Sequence, residues 1–279
     1  MTDDSKPPEV QVIEAEAVET RLQTRWTHLA ENRGMIVRRA LLSAAVGGAV
    51  PIPVLDDLIA VRVRAGLYMK LAERRHVGLS AAAAEVLAQA KESSRLGNAT
   101  MTAATLLAVK LAWRKMFAVV AVGRGADDAA SNFQNGLLFD HYCARLHVGP
   151  AIDRARAAAL RRAIHETVAQ THREALVAIF RDGTRTLGRS LLQAPRWLVE
   201  KVGGLAQRWV HTKGDVAATF EAGQLADDAV ERKWLDKASD SVDSQIASLG
   251  QGYLNVLVPR FEATWALAAA KLEAPPVTT

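Results

Sequence analysis

The stretch AAVGGAVPIPVLDDLIAVRVRAGLYMKLAERRHVGLS, residues 44–80, decides the fold. Its first residues close a nearly uncharged helix that runs from Met35 to Ala49 behind Arg38 and Arg39. Val50-Pro51-Ile52-Pro53 stops that helix, because a proline supplies no amide hydrogen to the ladder. A first helical turn has no use for that hydrogen, so Pro53 suits the start of a new helix, expected to reach about His76. Gly78 then breaks the chain, and Ser80 offers its hydroxyl as the N-cap of an alanine-rich helix over 81–94. Throughout, apolar residues recur at spacings of three and four, and the alternation of a strand is absent.

The same reading extends outward in both directions. Val18, Leu22, Trp26 and Leu29 share one face of a first helix, from about Glu9 to Asn32, ended by Gly34. Beyond the break at Gly97-Asn98 a helix is expected over roughly 99–122, then a turn at Gly123-Arg124-Gly125 and a helix from Phe133 to His147. Gly149-Pro150 opens a long helix to about Arg181, with Leu160, Ile164, Val168, Thr171, Ala175 and Ile179 on one side. Gly183, Pro195, Gly203-Gly204 and Gly214 mark later boundaries. Val230, Trp234, Val242, Ile246 and Leu249 form another helical stripe, and Pro259 kinks or splits the last helical stretch. The fold class is therefore all-α, a multi-helix bundle of about ten helices with no sheet. The expected organisation is an acidic tail over 1–20, a helical domain with a proline-broken apolar hairpin over 21–148, a long-helix bundle packing on it over 149–272, and a tail over 273–279.

Composition agrees with a globular chain. Of 279 residues, 49% are hydrophobic and 23% charged, which excludes a disordered or collagen-like polymer. A single cysteine, Cys143, cannot close an internal disulfide and fits a reducing compartment. The N-terminal MTDDSKPPEVQ carries no apolar signal core, so no export is expected. Arginine outnumbers lysine 25 to 10 and alanine is abundant, the codon habit of a GC-rich bacterium.

The net charge of +5 conceals a division. Residues 1–20 carry one base and six acids and residues 214–279 five bases and ten acids, so a middle of net +15 lies between two ends of −5 each. Such a middle attracts an anionic surface, unless its arginines meet the acidic ends within the same fold. Nucleic acid is not expected as a partner, since zinc-ligand spacing, an aromatic RNA-binding pattern and a basic run leading into heptads are all missing.

A membrane-crossing helix needs about 20 apolar residues. The longest uncharged run in the second helix, Ala40 to Leu55, has 16, with two glycines and two prolines inside it, and Asp56-Asp57 follows at once. The two apolar helices around the Pro-Ile-Pro break therefore form either the buried centre of a bundle or a hairpin dipping into one leaflet.

Within residues 35–150 the chain resembles the helical domain of the bacterial YcjF and EcsC type. The resemblance rests on the small-residue helix before the break, Pro51-Ile52-Pro53, Asp56, the amphipathic helix with Met69, the start Gly78-Leu79-Ser80, and GLLFDHYC over 136–143. The sequence departs from that pattern at Val54, where a glycine is usual, at Arg64, where a glutamine is usual, and at the added charge of Asp57. The resemblance implies an all-helical, membrane-proximal accessory protein. Without a GxxxxGK[ST] motif in this chain, a GTPase would be a separate partner.

Candidate sites follow. Pro51, Pro53, Asp56, Asp57 and Arg64 form the hairpin set: the aspartates favour the positive end of the third helix, and Asp57 lies seven residues before Arg64 on the same face. Arg154, Arg161, His165 and His172, spaced by seven, four and seven, form one basic stripe suited to phosphate-bearing headgroups. Arg196, Trp197, Arg208 and Trp209 combine rings and guanidiniums in the manner of an interfacial helix. His141, Cys143 and His147 share a helix, but Cys143 and His147 supply only two ligands on one face, too few for zinc. No metal, cofactor or catalytic residue is expected. The resulting expectation is a non-enzymatic scaffold or regulator, cytoplasmic and peripheral at the inner membrane, with an anionic membrane surface and a separate GTPase or other protein as partners. The alternative is a soluble helical adaptor with an apolar groove for a partner helix or lipid-like ligand.

Overall fold

The computed structural model describes residues 26–47, 53–89, 124–191, 233–249 and 251–273. Within them lie eight α-helices: α1 Thr27–Gly47, α2 Pro53–Arg74, α3 Ala81–Ala88, α4 Arg124–His141, α5 Arg154–Ala169, α6 Glu174–Leu191, α7 Lys233–Ser248 and α8 Gln251–Glu273. A π-helical turn, Tyr142–Leu146, closes α4. The described residues hold no strand, only an isolated bridge between Leu79 and Ile152. The all-α class is as expected, with eight helices in place of about ten; the expected helix over 99–122 lies outside the described residues.

Helix α1 is the hub. It packs on α4 most extensively, then on α2, α7 and α6, while α8 lies chiefly on α5 and only lightly on α4. Ile36, Val37 and Leu41 of α1 meet Phe133, Leu137 and Leu138 of α4 in a core that continues through Leu160, Phe180, Val242 and Phe261. Each such side chain stabilises the fold by roughly 1.5–3 kcal/mol through burial. Gly136 brings α4 close to α1: a Cβ there would stand 2.9 Å from Ile36 Cγ2.

Several boundaries differ from the sequence expectation, and one is the start of α4 at Arg124, where a turn was expected, rather than at Phe133. Gly34 does not end the first helix, because α1 runs on to Gly47; the cost of a mid-helix glycine, about 1 kcal/mol, is outweighed by the burial of Ile36, Val37 and Leu41. The stop after α2 is set by His76 rather than Gly78. His76 takes the left-handed φ of 56°, the Val77 amide bonds the Ala72 carbonyl and the His76 amide bonds the Glu73 carbonyl, a Schellman cap. The long helix expected to Arg181 is two, since α5 ends at Ala169 and α6 starts at Glu174. Thr167 and Thr171 turn their hydroxyls onto the carbonyls four residues back, which competes with a regular ladder. Finally, of the kink or split expected at Pro259, the split is absent, since α8 runs through it as one helix.

One cap is as read from sequence, and a second, at Asp153, was not read there. Ser80 Oγ accepts from the Ala83 amide at the start of α3, and Asp153 Oδ1 accepts from the Arg156 amide at the start of α5.

Candidate functional site

The expected site residues are scattered. Pro51 and the Arg196, Trp197, Arg208 and Trp209 set lie outside the described residues. Pro53 opens α2, and Asp56 and Asp57 fall in its first turns. Arg64 turns to α3 and α4, donating from Nε to the Ala88 carbonyl at 2.9 Å and from Nη1 to Asn132 Oδ1 at 3.5 Å. The basic stripe is interrupted: Arg154 is exposed, Arg161 donates to Gln89 Oε1 and His165 is half-buried, but His172 sits in the break between α5 and α6. A helical register therefore no longer aligns it with the other three.

Two features that those residues do not define are better built. The first is a buried polar cluster where α1, α2, α4 and α8 converge. His28 Nε2 lies 3.1 Å from His141 Nδ1, and His141 Nε2 lies 3.0 Å from Glu262 Oε1. Beside them Arg75 donates through Nε and Nη2 to the two oxygens of Asp140, each at 2.9 Å, and Asn32 Nδ2 donates to Asp140 Oδ1 at 2.8 Å. Arg74 donates to Asn32 Oδ1, and Arg75 Nη1 to Glu31 Oε2. Trp26 packs edge-on against His141 and donates its indole hydrogen to Asn255 Oδ1 on α8.

Burial governs the proton equilibria here. It lowers His28 to about 4, helped by the positive charges of His141, Arg145 and Arg75 and opposed by Asp140. Burial also lowers His141, against the pull of Glu262. Cys143 is buried and its thiol is pushed well up, which removes thiolate reactivity near neutrality. His147 instead meets the Tyr142 hydroxyl at 3.4 Å. Among the described residues no group of three or more His, Cys, Asp or Glu side chains is placed to hold a metal ion.

The histidine cluster was not read from the sequence as a unit. His28 is 113 residues from His141, and Glu262 a further 121. The available signal was the pair Asp140-His141 in the otherwise apolar run GLLFDHYC, since two polar groups on a buried helix require partners from elsewhere.

The second feature is an exposed apolar end. Arg260 of α8 reaches the Gln170 carbonyl at the end of α5, while Trp265 contacts Tyr142, just upstream of the loop that leads into α5. These contacts set α8 antiparallel to α5, so its last turns lie at the end of the bundle from which α5 starts. There Val148 is 79% exposed and Leu267 70%, with Leu272 exposed as well. Arg145, Arg154 and Lys271 are exposed at the same end. The nearby Asp153 is engaged as the cap of α5.

The basic middle meets part of the acidic C-terminal stretch inside the fold. Arg33 holds Asp243 through two nitrogens, and Arg38 lies 3.3 Å from Asp236. No described helix is long and apolar enough to cross a membrane. Comparison with known protein families, with curated proteins and with solved structures gives no match for this chain.

Proposed function

We propose that this protein is a non-enzymatic helical scaffold or regulator that docks peripherally on an anionic membrane surface. The observation that carries the reading is the end of the bundle at which Val148, Leu267 and Leu272 and the cations Arg145, Arg154 and Lys271 are all exposed. Apolar side chains enter the headgroup boundary, while each cation near an anionic surface adds about 1 kcal/mol. Arg33 and Arg38 are paired within the fold and so contribute less to that attraction. The family resemblance within residues 35–150 implies the same accessory role, with a GTPase or other protein as the element it serves.

Vesicle flotation tests the reading. Strong recovery with anionic vesicles at low salt, weaker at high salt and absent with neutral vesicles, is expected for the wild type, with a several-fold loss for the Leu267→Asp, Val148→Asp double variant. Equal recovery with neutral and anionic vesicles, or none with either, excludes it.

A second reading, a soluble adaptor, is favoured by one observation. Val256, Ala263, Leu267 and Ala270 are all exposed and, separated by seven, four and three, share the outer face of α8 as a partner helix would require. Capture of a protein partner that survives detergent, with no flotation, decides for this alternative.

A further inference from the structure

The buried histidines join three helices through hydrogen bonds whose direction is fixed from one end. Ionised Glu262 can only accept, so His141 carries its proton on Nε2 and presents a bare Nδ1 to His28. His28 therefore donates from Nε2, which leaves its own Nδ1 bare, buried and without a hydrogen-bond partner among the described residues. The chain of bonds is complete with both imidazoles neutral.

An added proton is poorly accommodated while the cluster is closed. On His141 Nδ1 it can be donated to His28 Nε2 only if the His28 proton moves to its own Nδ1. On His28 Nδ1 it would create a buried cation with no acceptor, near the guanidiniums of Arg75 and Arg145. The one carboxylate facing it, Asp140, is already held by both nitrogens of Arg75 and by Asn32, and Glu31 is held by Arg75 as well. In either arrangement His28 Nδ1 becomes a buried N–H with no acceptor among the described residues, so proton uptake favours opening of the cluster.

The part that opens is α8. It lies chiefly on α5, and its side-chain bonds to the α1 and α4 side include His141–Glu262 and Trp26–Asn255 at this cluster and, nearer its N-terminus, Gln134 donating to the Tyr253 hydroxyl. We propose that the His28–His141–Glu262 chain is an acid-released strap that holds the N-terminal half of α8 against α1 and α4. Release uncovers Leu257, Val258 and Phe261, which are fully buried in the closed form. Resting on the membrane reading above, release adds apolar surface along α8 to that of the docking end, so acid strengthens docking. Once exposed, each histidine titrates near its ordinary value of about 6.5, so a drop to about pH 5 favours the open form by up to about 30-fold per histidine.

Hydrogen exchange on the full chain at about pH 7.5 and about pH 5, corrected for the intrinsic rate, tests the strap. Amides of residues 251–265 should lose about tenfold or more of their protection at the lower pH while α6 and α7 keep theirs. The His28→Gln, His141→Gln double variant, whose amides can make the same bonds but cannot take up a proton, should lose this dependence. Equal α8 protection at both pH values in the wild type overturns the proposal without need of any variant. So does an equal loss across α6 and α7, or a dependence that survives in the double variant. Flotation run in parallel with phosphatidylcholine–phosphatidylglycerol vesicles separates the two readings. Release of α8 without flotation at either pH supports the strap and removes the membrane reading. Flotation with α8 unchanged between the two pH values removes the strap and supports the membrane reading.

Discussion

Arg33 and Arg75 each hold an aspartate through two nitrogens, in very different surroundings. The Arg33–Asp243 pair bridges α1 to α7 with its side chains 28% and 32% exposed. The Arg75–Asp140 pair has side chains 14% and 0% exposed and sits among α1, α2 and α4. Water and salt screen the first pair; the second has left most of its hydration behind and is stable only while every partner is present. One flank of α1 therefore carries charges that decorate apolar packing, and the other carries charges on which the packing depends.

The largest effect expected from this difference follows loss of Asp140. Asp140→Ala leaves the Arg75 guanidinium without its bidentate partner and Asn32 without an acceptor, and a broken buried pair costs about 3–5 kcal/mol. Urea unfolding followed by near-ultraviolet circular dichroism should show a lower midpoint, and an unchanged midpoint would remove the contrast with the α1–α7 side.

Next in size is a pH effect on the same flank. Folding holds His28 at about 4, whereas in the unfolded chain it titrates near 6.5. The unfolded state binds the extra proton first as pH falls, so the full stability is present above about 6.5 and is lost progressively toward pH 4. The loss attributable to His28 reaches about 2–3 kcal/mol at the acid end, and His141 adds to it in the same direction. His28→Gln should flatten the profile over that window.

How far the sequence disclosed each flank follows from the range of the interactions. Local rules sufficed where a helix end is made by its own residues: Ser80 caps α3, and Pro53 opens α2. They failed where distant contacts decide. Gly34 reads as a terminator, yet the core against α4 carries the helix through it. Thr167 and Thr171 continue an apolar stripe on paper, while their hydroxyls bond backwards and the chain turns before His172. The division of charge between middle and ends was legible, but which arginines it would neutralise depended on α1 lying beside α7. The histidine cluster draws on three segments separated by more than a hundred residues, and no periodicity records such a meeting.

On the α1–α7 flank apolar contact should outweigh charge. A Cβ at Gly183 of α6 would run into Val242 of α7, with Leu41 of α1 3.3 Å away. Gly183→Ala therefore forces the helices apart or Val242 off its rotamer, at a cost of about 2 kcal/mol despite the better helix propensity of alanine. Pairing it with Val242→Ala should recover much of the loss in thermal unfolding, because the clash lies with that one side chain.

The smallest effect should come from the surface pair itself. Asp243→Ala removes both of its bonds with Arg33 at once, but Arg33 has water to turn to, and pairs of this exposure are worth about 0–1 kcal/mol. What remains of the effect should shrink further in high salt, since the interaction is screened, whereas the Asp140→Ala loss should persist there because salt does not reach a carboxylate with no exposed surface. Salt dependence thus separates the flanks more sharply than either midpoint alone. An Asp243→Ala loss as large and as salt-resistant as that of Asp140→Ala would mean that the α7 flank is sealed from solvent by the rest of the chain, and that burial rather than position on α1 sets the value of both pairs.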